Sequence, residues 1–217
     1  MTSIETPSAL LFDWDNTLID SWGAIHEALH ETFVAFDLRP WTLEECKQKV
    51  RVSARDGFPP LFGDRWEEAL EVFYKAFQRT HLTALAPLAG AEGLLNRLQA
   101  QGLPLGIVSN KAGHLLRAEV VALGWQLYFS GVVGANDAPR DKPAPDAPAL
   151  ALEEMGQEAS EAVWFVGDTD IDMHCAVNSG CLPVLLRPEA PSVGEFADCS
   201  PRHYVASCRD LENLLFG

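Results

Sequence analysis

The segment Ala9-Leu10-Leu11-Phe12-Asp13-Trp14-Asp15-Asn16-Thr17-Leu18 runs a block of apolar residues straight into two acids. An unbroken apolar run of this length suits a strand buried on both faces, as in a parallel sheet. The acids then fall where the strand leaves the sheet. Two carboxylates this close repel each other, and neither is easily buried alone. A divalent cation, a proton or both would hold them together.

Downstream of Leu18 the period changes. Trp22, Ile25, Leu29, Phe33 and Phe36 recur at steps of three and four, one face of a helix. Thr42 with Glu45 resembles a capping box opening a second helix that reaches about Val52. Ser53 to Pro60 reads as a loop or broken helix, because Gly57, Pro59 and Pro60 interrupt regular structure. Asp64 can cap a further long helix carrying Trp66, Leu70, Phe73 and Phe77. Roughly 65 residues thus carry only helical signals, too many for an ordinary crossover. We expect an inserted helical subdomain over Ile19 to Ala86, flanked by a core domain built from 1–18 and 87–217.

From Pro87 onward, helical and apolar strand segments alternate. The strands are Leu103–Val108, Gly131–Gly134, Ala162–Val166 and Leu182–Leu186, with helices about Ala91–Gln101, Ala112–Leu123, up to Gly156, and Met173–Ser179. Leu211, Leu214 and Leu215 suggest a closing helix. The pattern predicts an α/β, mostly parallel, doubly wound sheet.

Three predicted strands end in polar residues: Asp13, Ser109-Asn110, and Asp168 in Gly167-Asp168-Thr169-Asp170-Ile171-Asp172. In open parallel sheets ligands bind in the crevice at the carboxyl ends of the strands, so these distant segments converge. Each could serve only as a helix cap, but their joint occurrence points to a site. Lys142, in the loop Asp141 to Asp146, is the cation available to offset the acids. Asp170 reads as a capping or solvated acid.

The net charge of −15 argues against nucleic acid or an anionic membrane as main partner, and leaves small phosphorylated ligands open. No apolar run approaches the ~20 residues that cross a bilayer. Met1 to Ser8 has no basic region followed by an apolar core, so no leader is expected. The five cysteines include no C-x-x-C pair, which suits free thiols in a reducing cytoplasm. No sequence feature marks a dimer, and monomer and homodimer both stay open.

Asp13-Trp14-Asp15-Asn16-Thr17, Ser109-Asn110, Lys142-Pro143 and Gly167-Asp168-Thr169-Asp170-Ile171-Asp172 resemble the four ordered motifs of the haloacid dehalogenase superfamily. The D-x-D-x-T form is similar to that of its phosphatases, the helical insert resembles the C1-type cap, and Val108-Ser109-Asn110-Lys111 looks like the phosphoglycolate phosphatase-like branch. The resemblance implies a Rossmann-like core and a Mg²⁺-dependent phosphatase of a small phosphorylated metabolite, phosphoglycolate-like or a sugar phosphate, with an aspartyl-phosphate intermediate. It implies Asp13 as nucleophile and Asp15 as general acid and then base. Asp13, the backbone carbonyl of Asp15, Asp168 and Asp172 would hold or support Mg²⁺. Ser109 and the backbone near Asn110 would hold phosphoryl oxygens, and Lys142 would neutralise charge. Arg55 lies where relatives place a specificity loop and could pair with a substrate carboxylate or second phosphate. Asn16 stands where Gly is common, and Asn tolerates positive φ. Asp15 favours a phosphatase over a dehalogenase. A phosphonoacetaldehyde hydrolase would need a Schiff-base lysine, and Lys47, Lys49 and Lys75 fall at helical, solvated positions. A phosphomutase of the β-phosphoglucomutase type and a non-catalytic binding protein are the alternatives. Trp14 and the aromatic stripes are expected to pack, although Trp14 could touch substrate, and His26, His30 and His81 are expected to be structural or solvated.

Overall fold

The computed structural model describes residues 6–217; residues 1–5, part of the stretch read as lacking a leader, lie outside the described residues. Strand β1 (Ala9–Phe12) is followed by the short β2 (Ile19–Asp20), then by helices α1 (Trp22–Ala35), α2 (Leu43–Lys49), α3 (Ala54–Phe62) and α4 (Trp66–Thr80). The chain returns through β3 (Ala86–Pro87) to α5 (Ala91–Ala100), β4 (Leu105–Ala112), α6 (Gly113–Ala122) and β5 (Gly131–Ala135). It closes with α7 (Asp146–Met155), β6 (Val163–Gly167), α8 (Asp170–Ser179), β7 (Leu182–Leu186), β8 (His203–Val205) and α9 (Cys208–Phe216).

The main sheet has the order β5-β4-β1-β6-β7-β8, and all its pairings are parallel. β1 is central: Leu10 lies opposite Leu105 on one side and Trp164 on the other. Its apolar run has no polar alternation because both faces are covered. Leu10 and Phe12 pack with Leu94, Leu98, Leu116 and Leu211 of α5, α6 and α9. Ala9 and Leu11 pack with Ala151, Leu152 and Ala176 of α7 and α8. Leu10, Leu11 and Phe12 are 0% exposed, each contributing about 1.5–3 kcal/mol of burial. The expected doubly wound sheet is present, with β8 as an edge strand that the sequence pattern did not reveal.

The helical insertion is also present. Its stem is an antiparallel pair, Ile19 opposite Pro87 and Asp20 opposite Ala86. Leu29, Phe33, Cys46, Phe58, Phe62 and Ala69, drawn from all four helices, form one apolar cluster. The aromatic stripes are therefore largely packing residues, as expected, although Phe73 and Phe77 also line the cleft described below. Ala24, Ala28, Ala76 and Phe77 seat the insertion on Ala112 and Leu115 of the core.

Three local expectations need correction. Ala54–Phe62 is helical despite Pro59 and Pro60. The two prolines remove helix donors, yet Phe58 and Phe62 are buried in the insertion's core, and that tertiary burial outweighs the lost bonds. Asp64 caps nothing: it lies in a 3₁₀ turn, Gly63–Arg65, that leads directly into α4, with the Trp66 N–H bonded to the Gly63 carbonyl. Finally, β4 does not stop at Ser109 but continues to Ala112 through a register irregularity against β5. Gly134 makes this possible, since a Cβ there would sit 2.6 Å from the Lys111 carbonyl oxygen and 2.5 Å from Gly113 Cα.

Candidate active site

Asp13 follows β1 directly, its N–H bonded to the Val166 carbonyl at 2.8 Å. The next residues fold into a tight turn: Leu18 and Ile19 N–H groups both donate to the Trp14 carbonyl, at 3.0 and 3.1 Å. Asn16 takes the left-handed conformation at φ 64°, as its residue type allowed. Its side-chain oxygen accepts from the Ser21 N–H at 3.3 Å, tying the turn to the start of α1. Thr17 is fully buried and its hydroxyl reaches Asp168 at 3.5 Å.

The four motif segments meet just past the ends of β1 and β6 and beside Ser109 and Asn110, which lie within the second half of β4. Lys142 is 4% exposed, and its ammonium donates to Asp13 Oδ1 at 2.6 Å and to Asp172 Oδ1 at 2.7 Å. The other oxygen of Asp172 accepts from the Thr169 N–H at 3.0 Å and from its hydroxyl at 2.7 Å, a capping box at the start of α8. That first turn comes close to β6 because residue 167 is glycine: a Cβ there would lie 2.3 Å from Asp172 Cβ. Asn110 clamps the Lys142 loop, its amide oxygen accepting from the Lys142 N–H at 2.9 Å and its amide nitrogen donating to the Lys142 carbonyl at 3.1 Å. Ser109 is buried, with its Oγ bonded to the Lys111 N–H at 3.2 Å.

Carboxylate oxygens of Asp13, Asp168 and Asp172 lie within 4.8 Å of one another. Burial first, then the neighbouring acids Asp172 and Asp15, push Asp13 up to about 7 against the pull of Lys142. Burial, Asp172 and Asp13 likewise raise Asp168 well above the usual carboxylate range. Burial alone would lower the Lys142 ammonium, but Asp13 and Asp172 override it and raise it. Three carboxylates thus face one ammonium. Hard oxygen donors with that residual negative charge fit a divalent cation such as Mg²⁺.

These groups open into a cleft of about 450 Å³ between core and insertion, walled on the insertion side by Trp22, Ile25, Phe73 and Tyr74. Asp15 lines it too, with its Oδ1 2.7 Å from Lys111 Nζ. Arg55 is placed elsewhere: it sits on α3, and its guanidinium lies 2.9 Å from Asp141 Oδ1, beside a neighbouring hollow that Arg140 and Pro143 also line. Asp170 occupies the first turn of α8 and does not line the cleft, in keeping with a helix-terminus role. Lys47, Lys49 and Lys75 are on helices with side chains 40%, 44% and 71% exposed. Lys49 lies over the Trp41 ring at the cleft wall.

The sequence reading missed a second buried polar group around Glu119. It accepts from the Trp14 indole N–H at 2.7 Å and from Lys111 at 2.6 Å, and contacts His81 Nδ1 at 2.8 Å. Burial would lower the Lys111 ammonium, yet Asp15 and Glu119 raise it. One signal was available: Glu119 interrupts the apolar stripe Leu115, Leu116, Val120, so its helix face turns inward. Trp14 and His81 pack as expected, Trp14 edge-on to Trp125 at 5.8 Å.

Comparison with known proteins agrees with the motifs. Residues 10–185 match the haloacid dehalogenase-like hydrolase family. The chain is 30% identical over 172 residues to a phosphoglycolate phosphatase of Aquifex aeolicus, covering 79% of this chain and 80% of that protein. It is 32% identical over 222 residues to a phosphoglycolate phosphatase of Escherichia coli K12, covering 89% and 83%. Its fold is similar to that of a haloacid dehalogenase-like family hydrolase from Streptococcus pneumoniae, with a TM-score of 0.82, 22% identity, and 98% and 99% of the two chains covered. The motif order, the inserted helices and the identity to these relatives together place the chain in the haloacid dehalogenase-like hydrolase family.

Proposed function

We propose that the protein is a Mg²⁺-dependent phosphatase of a small phosphorylated metabolite, phosphoglycolate-like or a sugar phosphate, working through an aspartyl phosphate on Asp13. The observation that carries this reading is the charge imbalance of the cluster: the buried Asp13 and Asp172 share one ammonium, Lys142, and the half-buried Asp168 adds a third carboxyl group beside them. Asp13, Asp168, Asp172 and the Asp15 backbone carbonyl would hold the cation, which supplies charge neutralisation for the phosphoryl group. The kinship with proteins named phosphoglycolate phosphatase supports the substrate class.

The residues divide the work by position. Asp13 lines the cleft, with only one of its oxygens engaged by Lys142, so the other can attack phosphorus. The P–O bond to the leaving alcohol breaks as the Asp13 O–P bond forms, and the Asp15 carboxyl gives its proton to the departing oxygen. Asp15, now a carboxylate, then takes a proton from a water whose oxygen bonds to phosphorus as the Asp13 O–P bond breaks, releasing inorganic phosphate and the Asp13 carboxylate. Ser109 Oγ and the N–H groups around Asn110 orient the phosphoryl oxygens, and Lys142 favours the ionised form of Asp13 and offsets the developing charge. Asn110 acts through its side chain as well, holding Lys142 in register. Arg55 contributes indirectly, its guanidinium bracing the Asp141 end of the Lys142 loop and available to a substrate only if that pair parts.

Residues 19–86 serve as the cap over this site, and 1–18 with 87–217 as its core. Among the described residues no helix is long and apolar enough to cross a membrane. The five cysteines are free thiols, as a reducing cytoplasm would keep them, and the enzyme proposed is a cytoplasmic monomer or homodimer. The test is hydrolysis of para-nitrophenyl phosphate and a panel containing phosphoglycolate and sugar monophosphates. Turnover should need Mg²⁺, stop with chelator, and fall more than about a thousandfold in Asp13→Asn. Folded protein with no metal-dependent turnover on any ester would refute the assignment. Isomerised sugar phosphate in place of inorganic phosphate would make it a mutase.

A further inference from the structure

One buried ionic cluster has no part in the chemistry assigned above. Glu119 of α6 is 1% exposed, and its carboxylate gathers the Trp14 indole, the Lys111 ammonium and the His81 ring at 2.6–2.8 Å. Lys111, with a side chain 5% exposed, spends its other contact on Asp15, 2.7 Å away. The members come from four places: the turn after β1, strand β4, helix α6, and His81, which ends α4 of the insertion. Phe77 of the same helix stacks on His81 at 5.2 Å and lies 5.1 Å from the Lys111 ammonium.

Stability is a poor reason for such a cluster. Burying an ammonium and two carboxylates costs desolvation that their attraction repays at best in part, and apolar residues of equal volume would serve a core as well. What a buried cluster of close ionic and hydrogen-bonded partners does supply is a fixed geometry. The groups it fixes are informative. Asp15 Oδ1 is buried against Lys111, while the side chain as a whole keeps 19% exposure, so what it offers the cleft is the rest of the carboxyl group. Lys111 cannot wander, because Glu119 holds it from the other side and Trp14, the neighbour of Asp15, holds Glu119.

We infer that Lys111, braced by Glu119, is the positioning residue that aims the Asp15 carboxyl group at the leaving-group oxygen, and that His81 ties this brace to the seated cap. The inference rests on Asp15 being the proton donor of the proposed phosphatase. Its signature follows from the chemistry. An alkoxide leaves only when Asp15 hands it a proton, whereas para-nitrophenolate leaves without one. A misaimed Asp15 therefore penalises alkyl esters selectively, and kcat/KM reads this directly because it stops at the first irreversible step, transfer of phosphorus to Asp13.

The experiment compares kcat/KM for n-propyl phosphate and para-nitrophenyl phosphate, with Mg²⁺, in wild type, Lys111→Met, Glu119→Gln and Asp15→Asn. Lys111→Met should lose about tenfold or more beyond its aryl loss on the alkyl ester. Glu119→Gln keeps volume and an acceptor for Trp14, so it reads the same effect, smaller, if Lys111→Met does not fold. Asp15→Asn should show the widest split. If Asp15→Asn splits the two esters and the folded Lys111 and Glu119 variants lose equally on both, the inference is overturned while the phosphatase reading stands. An Asp15→Asn variant with equal losses removes Asp15 as the proton donor, and the inference with it.

Discussion

Replacing Lys142 by methionine probes the charge balance of the site apart from its chemistry. Methionine fills similar space but removes the ammonium that lies 2.6 Å from Asp13 and 2.7 Å from Asp172. The carboxylates of Asp13, Asp168 and Asp172, within 4.8 Å of one another, then lose their cation. Breaking a buried pair in this way costs about 3–5 kcal/mol. For a chain of this size each kcal/mol moves Tm by about 2–4 °C, so the metal-free variant should melt about 6–20 °C lower. The pH dependence has a definite sign. The folded pKa of Lys142 is raised, so its stabilisation is fully present below the free-lysine value and constant from pH 6 to 8. Asp13 is already pushed up to about 7 by burial, and without Lys142 it will hold a proton more tightly still. The deficit should therefore be largest at pH 8 and smaller at pH 6. Mg²⁺ should restore more stability to the variant than it adds to the wild type, yet turnover should not return. Calorimetry in chelator and in Mg²⁺ at both pH values, paired with a phosphate-release assay, measures all of this. A metal-free variant melting within about 1 °C of wild type at pH 8 would refute the charge-balance reasoning.

Asp13→Asn should do the reverse in the metal-free protein. The Asp13 pKa rises from 3.8 to about 7 on folding, so between those values the folded state binds the extra proton, and stability falls as pH rises. The amide escapes that penalty, and urea denaturation should show a gain at pH 8 that shrinks at pH 6; a larger gain at pH 6 would contradict the assignment. Gly167→Ala places a Cβ 2.3 Å from Asp172 Cβ, so the first turn of α8 must retreat. Apparent Mg²⁺ affinity, titrated through activity or calorimetry, should fall about tenfold or more, and an unchanged value would show that Asp172 does not support the ion.

Much of this was legible in the chain because it depended on local physics. An apolar run with no alternation suits a strand covered on both faces, and Leu10 and Leu11 do face opposite helical layers. Thr42 and Glu45 form the capping box their spacing implied, and Asn16 adopts the positive φ that its side chain tolerates. Acids and hydroxyls at the ends of three strands had to meet once the strands were parallel neighbours. Where a distant partner decides, the sequence was mute. Pro59 and Pro60 sit in a helix because Phe58 and Phe62 are buried by other helices. Arg55 faces Asp141, a contact between residues far apart in the chain.

The sequence by itself determined the family, the sheet and the insertion, and it nominated the acids, lysine and serine that meet in the cleft, because these follow from residue type, periodicity and motif order. Only the tertiary structure decided how charge is shared among them. Whether an ammonium neutralises one carboxylate or two, and which, depends on separations of a few ångströms across burial, and neither is written in spacing. That is why Lys142 proves to bridge Asp13 and Asp172, and why Lys111 and Glu119, ordinary in the sequence, prove to be linked to Asp15, Lys111 by direct contact and Glu119 through Lys111.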